Sequence, residues 1–391
     1  MSDVPLRRRD ERNSVPRRPS IYAILLVAAL LCAGGAVLAL VLDAGTAAGP
    51  ATVGFFVLLA LGSRAHARLR EFTFTLWILA GVSAAMFYPQ IFQRVGEIDL
   101  TIFIVPLIQL IMFGMGTALS VKDFAGVVRM PKAVLVGLAC QYSIMPVLGV
   151  SLAIAFDFPA EVAAGVVLIG SAPSGVASNV MAYIAGANLA LSVTLTAVAT
   201  LLAPLMTPTL MKLLAGQFVP VDFMEMMIGI VKMVIVPIVL GLAFNKLMHG
   251  RAKWLDRSMP VVSMVGIAVI ITIITAAGRD SLLAIGPALV AAAIIHNVAG
   301  YTLGYWGCRM LGLDKKTCRT ISLEVGMQNG GLASGIALQM GKVATIGLAP
   351  AIFGPWMNIS GSALANWWRR KPLDDIEEVE DRAVKPEALA T

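Results

Sequence analysis

Polar and apolar positions along this chain segregate into blocks rather than alternating. Uncharged apolar runs of about 20 residues recur between Ile21 and Trp368, separated by short stretches that carry most of the charge. A helix rises about 1.5 Å per residue, so such a block crosses a hydrocarbon core of about 30 Å. In lipid every backbone polar group must be paired internally, which leaves helices and closed barrels. Barrel strands would alternate over about 10 residues. These blocks are apolar all round, so the pattern predicts helices. The predicted spans are 21–42, 44–63, 72–92, 101–119, 133–156, 162–184, 189–211, 224–245, 258–277, 282–308, 320–340 and 345–368. The second has the least support, because Gly49-Pro50 interrupts its start and only Val53 to Leu61 is strongly apolar.

The charges between the blocks predict an orientation. With the N-terminus inside, inner loops hold Arg64, Arg68, Arg70, Lys122, Arg129, Lys132, Lys246, Arg251, Lys253, Arg257, Arg309, Lys315, Lys316, Arg319, Arg369, Arg370 and Lys371. Outer loops hold only Arg94, Lys212, Arg279 and Lys342. That bias places both termini in the cytoplasm. Residues 1–20 read as a basic cytoplasmic tail, and 371–391, with "DDIEEVED", as an acidic disordered tail. Six arginines before Ile21 mimic a signal peptide. The apolar run to Leu42, at 22 residues, exceeds the usual 7–15 of such a signal, so it is expected to be retained.

Composition agrees: 58% of the 391 residues are hydrophobic and 14% charged, against about 25% charged in soluble domains. The formal charge of +7 does not point to nucleic acid, since no stretch interleaves basic residues with aromatics. Cys32, Cys140, Cys308 and Cys318 are scattered, and His66, His249 and His296 are the three histidines. That excludes a disulfide framework or a structural zinc site as an expectation.

Two apolar segments are interrupted by glycine. "PSGVASNV" at 173–180 aligns without gaps on "NGGLASGI" at 329–336, matching Gly175 with Gly331, Ala177 with Ala333 and Ser178 with Ser334. Five crossings separate the copies, so the second enters the membrane from the opposite side. Paired broken segments of opposite topology point to a transporter's binding site.

Candidate chemistry collects at these breaks. Glu324 lies inside the second segment, where an ionisable group costs about 2.5–3.5 kcal/mol and needs a partner or a cavity. A hard cation is one partner, with Gln328, Asn329 and unwound carbonyls near in sequence; Arg319, one turn away, is the other. In the first segment Pro173, Ser174 and Gly175 break the helix, and Ser178 and Asn179 begin its second half. Half-helix N-termini suit an anion at Gly175, Val176, Asn329 and Gly330. A proline-kinked helix glued to its neighbours is the alternative. Ser192, Thr196 and Thr200 share one face of the next span, as cation ligands or as hydroxyls bonded to their own helix. Gln141 is interhelical glue or a ligand, Lys232 pairs with a carboxylate or snorkels, and His296 beside Asn297 reads as a packed histidine.

Several of these stretches together resemble the bile acid:sodium symporter family. "ASNVMAYIAGANLALSVTLTAVATLLAPLMTP", "GIVKMVIVPIVLG", "HNVAGY", "EVGMQNGGLASGIAL" and "NISGSALANWW" stand in the family's order and spacing, from about Phe72 to Trp368. The resemblance implies an all-α fold of ten helices, 72–368, built from inverted five-helix repeats. These form core and panel domains with two crossing discontinuous helices. The helices of 21–63 would be an extra N-terminal pair. It implies two Na+ sites and no organic cofactor. One site would use Ser178, Asn179, Ser192, Thr196 and Glu324; the other Gln141, Glu324, Met327, Gln328 and the backbone of Val325. Three positions depart from the family's pattern: Val176 for a threonine, Gly330 for a serine, and Met357 for a histidine. They lie near the expected substrate, a small organic anion of the class of bile acids, pantoate-like acids and 2-oxo acids, and leave its identity open.

The expected function is thus sodium-coupled symport of a small carboxylate across a lipid bilayer, in a bacterial inner membrane. The rivals are a proton-coupled carrier in which Glu324 titrates, a binding-only sensor, and a membrane enzyme. The last lacks a clustered set of catalytic groups in the sequence.

Overall fold

The structure, a computed structural model, describes residues 21–42, 44–65, 72–120, 123, 125–248 and 253–371. The basic tail, residues 372–391 of the acidic tail, and the loop residues Arg68, Arg70, Lys122 and Arg251 lie outside the described residues. The described residues form two compact units, divided between Thr73 and Phe74.

In the first unit α1 (Ile21–Val41) and α2 (Gly45–Gly62) pack along each other as a hairpin. Gly62 permits the approach: a Cβ there would meet the Leu26 side chain at 2.9 Å. Pro50 sits in the second turn of α2 without ending it.

The second unit opens with α3 (Thr73–Phe87), which stops at Tyr88, the residue before Pro89. Proline disfavours the helical conformation of the residue it follows, which explains why the predicted span 72–92 is split. A short α4 (Pro89–Gln93) and a hairpin of β1 (Arg94–Val95) with β2 (Ile98–Asp99) lead to α5 (Ile104–Ala118). α6 (Ala125–Arg129) is a single short turn before the long α7 (Pro131–Ala155). The remaining elements are α8 (Ala160–Ser171), α9 (Ala177–Ile184), α10 (Leu189–Leu210), α11 (Phe223–Ile230), α12 (Val236–Met248), α13 (Lys253–Ala277), α14 (Arg279–Met310), α15 (Lys315–Gly326), α16 (Gly330–Gln339) and α17 (Leu348–Arg369). π-helical turns extend α10 through Met211–Ala215 and join α11 to α12 through Val231–Ile235.

Among the described residues seven helical stretches are long and apolar enough to cross a membrane: Ile21–Ala39, Leu100–Ala118, Pro131–Ala155, Leu189–Ala215, Phe223–Met248, Ser258–Ala277 and Arg279–Met310. The fold is that of an all-α polytopic membrane protein. Of the other predicted spans, 44–63 and 72–92 form shorter apolar helices, 345–368 is α17, and 162–184 and 320–340 are each two helices.

Packing sorts the second unit into two groups. α5 lies against α12 and α13. Gly116 and Gly241 bring α5 and α12 into backbone contact, since a Cβ on either would stand 2.2 Å from a carbonyl oxygen of the other helix. α7, α8, α14, α15 and α17 form the second group, with α10 against α7 and α15. Its interior holds small residues, among them the fully buried Ala163, Ala164, Ala333 and Ala337, which let helices approach closely where lipid offers no hydrophobic driving force.

The two broken segments behave differently at their far halves. α16 packs against α5, α11 and α13 as well as α17, whereas α9 packs on α10, α15 and α17. Val176, Val180 and Tyr183 line an exposed face of α9, 41%, 54% and 72% accessible.

Candidate functional site

Both glycine-rich breaks are real. α8 ends at Ser171 and α9 begins at Ala177; α15 ends at Gly326 and α16 begins at Gly330. The unwound residues meet as two short extended strands: Ser174 pairs antiparallel with Gln328, Gly175 N–H donates to the Met327 carbonyl at 2.8 Å, and Asn329 N–H donates to that of Pro173 at 2.8 Å. Each break thus satisfies backbone groups that helix termination leaves without partners. Gly175 is required by the close approach, since a Cβ there would lie 2.8 Å from the Gln328 carbonyl oxygen. Asn329 caps α16, its Oδ1 accepting from Leu332 N–H at 3.0 Å.

Glu324 lies beneath this crossing on the last turns of α15, 2% exposed. Ser178 Oγ donates to its Oε1 at 2.6 Å, and so does Ser192 Oγ; Thr196 Oγ1 donates to its Oε2 at 2.8 Å. Asn179 Oδ1 lies 2.8 Å from Ser192 Oγ and 3.2 Å from Thr196 Oγ1, a second acceptor for the single proton that each hydroxyl carries. Two helices, α9 and α10, therefore aim oxygen-bearing side chains at one buried acid on a third. Ser192 and Thr196 reach it together because positions four apart share a helix face. Thr200, on the same face, donates instead to its own helix at the Thr196 carbonyl.

The alternative partner for Glu324 is ruled out. Arg319 extends away, donating to the Lys371 carbonyl at 2.7 Å and stacking over Trp368 at 5.6 Å.

Next to the acid, Gln141 Nε2 donates to the Ala172 carbonyl at 2.9 Å and to Gln328 Oε1 at 2.8 Å. Gln328 Nε2 in turn donates to the Val325 carbonyl. Gln141, Val325, Met327 and Gln328 are thereby brought together, all buried. Val176 and Gly330 stand at the starts of α9 and α16, with Gly330 facing the Pro350 carbonyl at 3.5 Å from an added Cβ.

His296 is the packed histidine its setting suggested: Nε2 lies 2.9 Å from the Met145 carbonyl and the ring stands edge-on to Phe353. Asn297 does more than sequence reasoning assigned it. Its Nδ2 donates to the Gly326 carbonyl at 2.8 Å, and its Oδ1 accepts from Ser360 Oγ at 2.6 Å. Tyr301 hydroxyl joins this network at 3.3 Å from Ser360 Oγ. A signal existed: Asn297 follows Gln141 by 156 residues, the offset that relates Gly331 to Gly175. Each of the two amides serves a carbonyl at the end of a broken helix.

Lys232 is exposed, and among the described residues no carboxylate pairs with it. Cys140, Cys308 and Cys318 are buried free thiols, the last two with sulfurs 2.8 Å apart, and Cys32 is half-buried. Among the described residues no group of three or more His, Cys, Asp or Glu side chains could hold a metal. The oxygen cluster at Glu324 is of another kind: one carboxylate with hydroxyls and an amide, all hard oxygen donors.

Residues 105–285 match the Sodium Bile acid symporter family. The chain is 38% identical over 300 residues to the sodium-dependent transporter YocS of Bacillus subtilis, an overlap of 76% of this chain and 91% of that protein. The chain belongs to the sodium bile acid symporter family. Within it, the chain is 32% identical over 309 residues to the probable sodium/metabolite cotransporter BASS1 of Arabidopsis thaliana, covering 78% of this chain and 75% of that one. It is 33% identical over 252 residues to the human ileal sodium/bile acid cotransporter, 63% of this chain and 71% of the other. Membership makes this an integral-membrane, sodium-dependent transporter and not an enzyme.

Proposed function

We propose that this protein is a symporter that couples sodium entry to movement of a small organic carboxylate by alternating access. The observation that carries the reading is the Glu324 cluster. Glu324 Oε1 and Oε2, Asn179 Oδ1, Ser178 Oγ, Ser192 Oγ and Thr196 Oγ1 converge in one buried volume. Rotating the three hydroxyls by about a third of a turn, a staggered change for such torsions, would turn their lone pairs on an ion in place of their protons on the acid. The acid supplies the charge and the others fill the coordination sphere.

A second ion is assigned to Gln141, Val325, Met327, Gln328 and Glu324, where amide and main-chain oxygens adjoin the same carboxylate. Both ions would sit on α15 at the root of the crossing, so their binding would hold the starts of α9 and α16 in register. The anion is assigned to those starts, at Gly175, Val176, Asn329 and Gly330, where helix N-termini favour negative charge.

The unequal surroundings of α9 and α16 support alternating access. One half-helix is sealed against α5, α11 and α13 while the other has an open face. Swapping those roles would carry the crossing from one side to the other. In this reading residues 72–368 are the transporter, 21–63 an appended pair, and both termini cytoplasmic, as the loop charges predict.

Purified protein in proteoliposomes tests the reading, with labelled pyruvate, pantoate and taurocholate as probes. Uptake of at least one probe is expected to follow an inward sodium gradient at fixed pH and to stop when choline replaces sodium. Uptake that persists in choline and follows a proton gradient would instead make Glu324 a titrating group.

A further inference from the structure

One charged side chain in the middle of a span has no role so far. Lys232 follows the ninth residue of the stretch Phe223–Met248, about 13 Å from its start along the helix. It stands in the π-helical turn Val231–Ile235, a widened turn that recurs at functional positions. Its exposed neighbours one turn away are the apolar Ile228 and Val236. Glu225 stands two turns away on the same stripe, and among the described residues no carboxylate forms an ion pair with Lys232. Facing hydrocarbon, such a group would cost about 2.5–3.5 kcal/mol.

Lys232 is also near the crossing. The next residue, Met233, packs on α16 at Gly335, its Sδ lying 3.1 Å from where a Cβ would stand. Gly335 is five residues from Gly330, about 7.5 Å along the helix from the start of α16. The Lys232 carbonyl accepts from Gln109 Nε2 of α5 at 3.2 Å, which fixes the backbone of the widened turn against its neighbour. The backbone that carries the lysine stem therefore belongs to the layer that packs on α16.

We infer that the Lys232 ammonium is the fixed positive charge that pairs with the carboxylate of the transported anion. The inference rests on the symport reading and adds a residue to it from the opposite side of the substrate path. It divides the work: the Glu324 cluster binds sodium, the helix starts hold the polar part of the anion, and Lys232 selects for negative charge. It also explains how a site with a weakened crossover, Val176 lacking a hydroxyl and Gly330 lacking one, holds a small acid.

The test uses full-length protein in proteoliposomes with labelled pyruvate, pantoate and taurocholate. Lys232→Gln is expected to raise KM for the transported acid about 10- to 100-fold, the worth of one charge-assisted hydrogen bond. Lys232→Arg, which keeps the charge, is expected to retain most of the affinity. The sodium-dependent thermal shift measured without substrate is expected to be the same in all three proteins. An unchanged KM in Lys232→Gln overturns the inference, as does a loss that tracks a lost sodium response. Lys232→Cys supplies a second readout: a water-soluble cationic methanethiosulfonate should label it, and the transported acid should slow the labelling. A thiol that never reacts would mean a lipid-facing side chain and would also overturn the inference. If the wild-type protein carries none of the three acids with sodium, the symport reading fails first and the inference falls with it.

Discussion

Gly175 donates its backbone N–H to the carbonyl of Met327 at 2.8 Å, joining two breaks that lie 152 residues apart in the chain. The bond exists because position 175 has no side chain, and the geometry gives a direct check. Gly175→Val would force Cβ against the Gln328 carbonyl, 2.8 Å away. Sodium-dependent uptake should fall more than about tenfold, the effect of losing 1.4 kcal/mol of ion affinity. Gly331→Ala is the control, since its Cβ would find only Asn329 Oδ1 at 3.6 Å. It should transport normally.

Glu324→Gln keeps the shape of the buried acid and removes its charge. Sodium should then no longer raise the melting temperature of the purified protein, and uptake should be lost while membrane insertion is retained. A preserved sodium response would remove Glu324 from the ion site.

Two hydroxyls one turn apart offer a sharper contrast. Thr196 donates to Glu324, whereas Thr200 donates to its own helix. Thr196→Val should raise the sodium concentration for half-maximal uptake by about tenfold, near 1.4 kcal/mol. Thr200→Val should leave it unchanged. Asn179→Ala should resemble Thr196→Val, because its amide oxygen is shared by Ser192 and Thr196.

Gln141→Leu removes the donor that links α7 to the crossing at Ala172 and Gln328. With the second ion site disabled and the first intact, the sodium dependence of uptake should lose its sigmoidal form and become hyperbolic. A sigmoidal curve with the wild-type midpoint would count against a second site there.

Val176→Thr restores a hydroxyl at the exposed start of α9. Relative KM values for pyruvate, pantoate and taurocholate should shift, with the sodium midpoint steady. The opposite pattern would mean that ion and anion regions are interchanged.

Much of this arrangement was legible in the chain itself. Apolar blocks predicted the helices, Pro173 with Gly175 marked the first break and the Gly330–Gly331 pair the second, although a lone proline such as Pro50 stays inside its helix. Glu324 was conspicuous as an acid in an apolar run, and the spacing of Ser192 and Thr196 placed them on one face. What the chain did not disclose was direction. That Arg319 turns to the Trp368 and Lys371 carbonyls rather than to Glu324 depends on where α17 ends. Thr200 bonding to its own helix and the Asn297–Ser360 link likewise depend on neighbours far away in sequence. The split at Tyr88 was readable from Pro89 and was missed because the apolar run continues through it.

Gly335 lets Ile108 and Met233 close over α16, leaving an added Cβ only 2.6 Å from Ile108 Cδ1. In the proposed cycle this contact must part before the far side can open, so its tightness sets how long the carrier rests in its present posture. A bulky residue at 335 would act as a doorstop, biasing the resting equilibrium toward the opposite posture with every ion ligand untouched. The tempo of the cycle would then be governed by a surface that binds nothing.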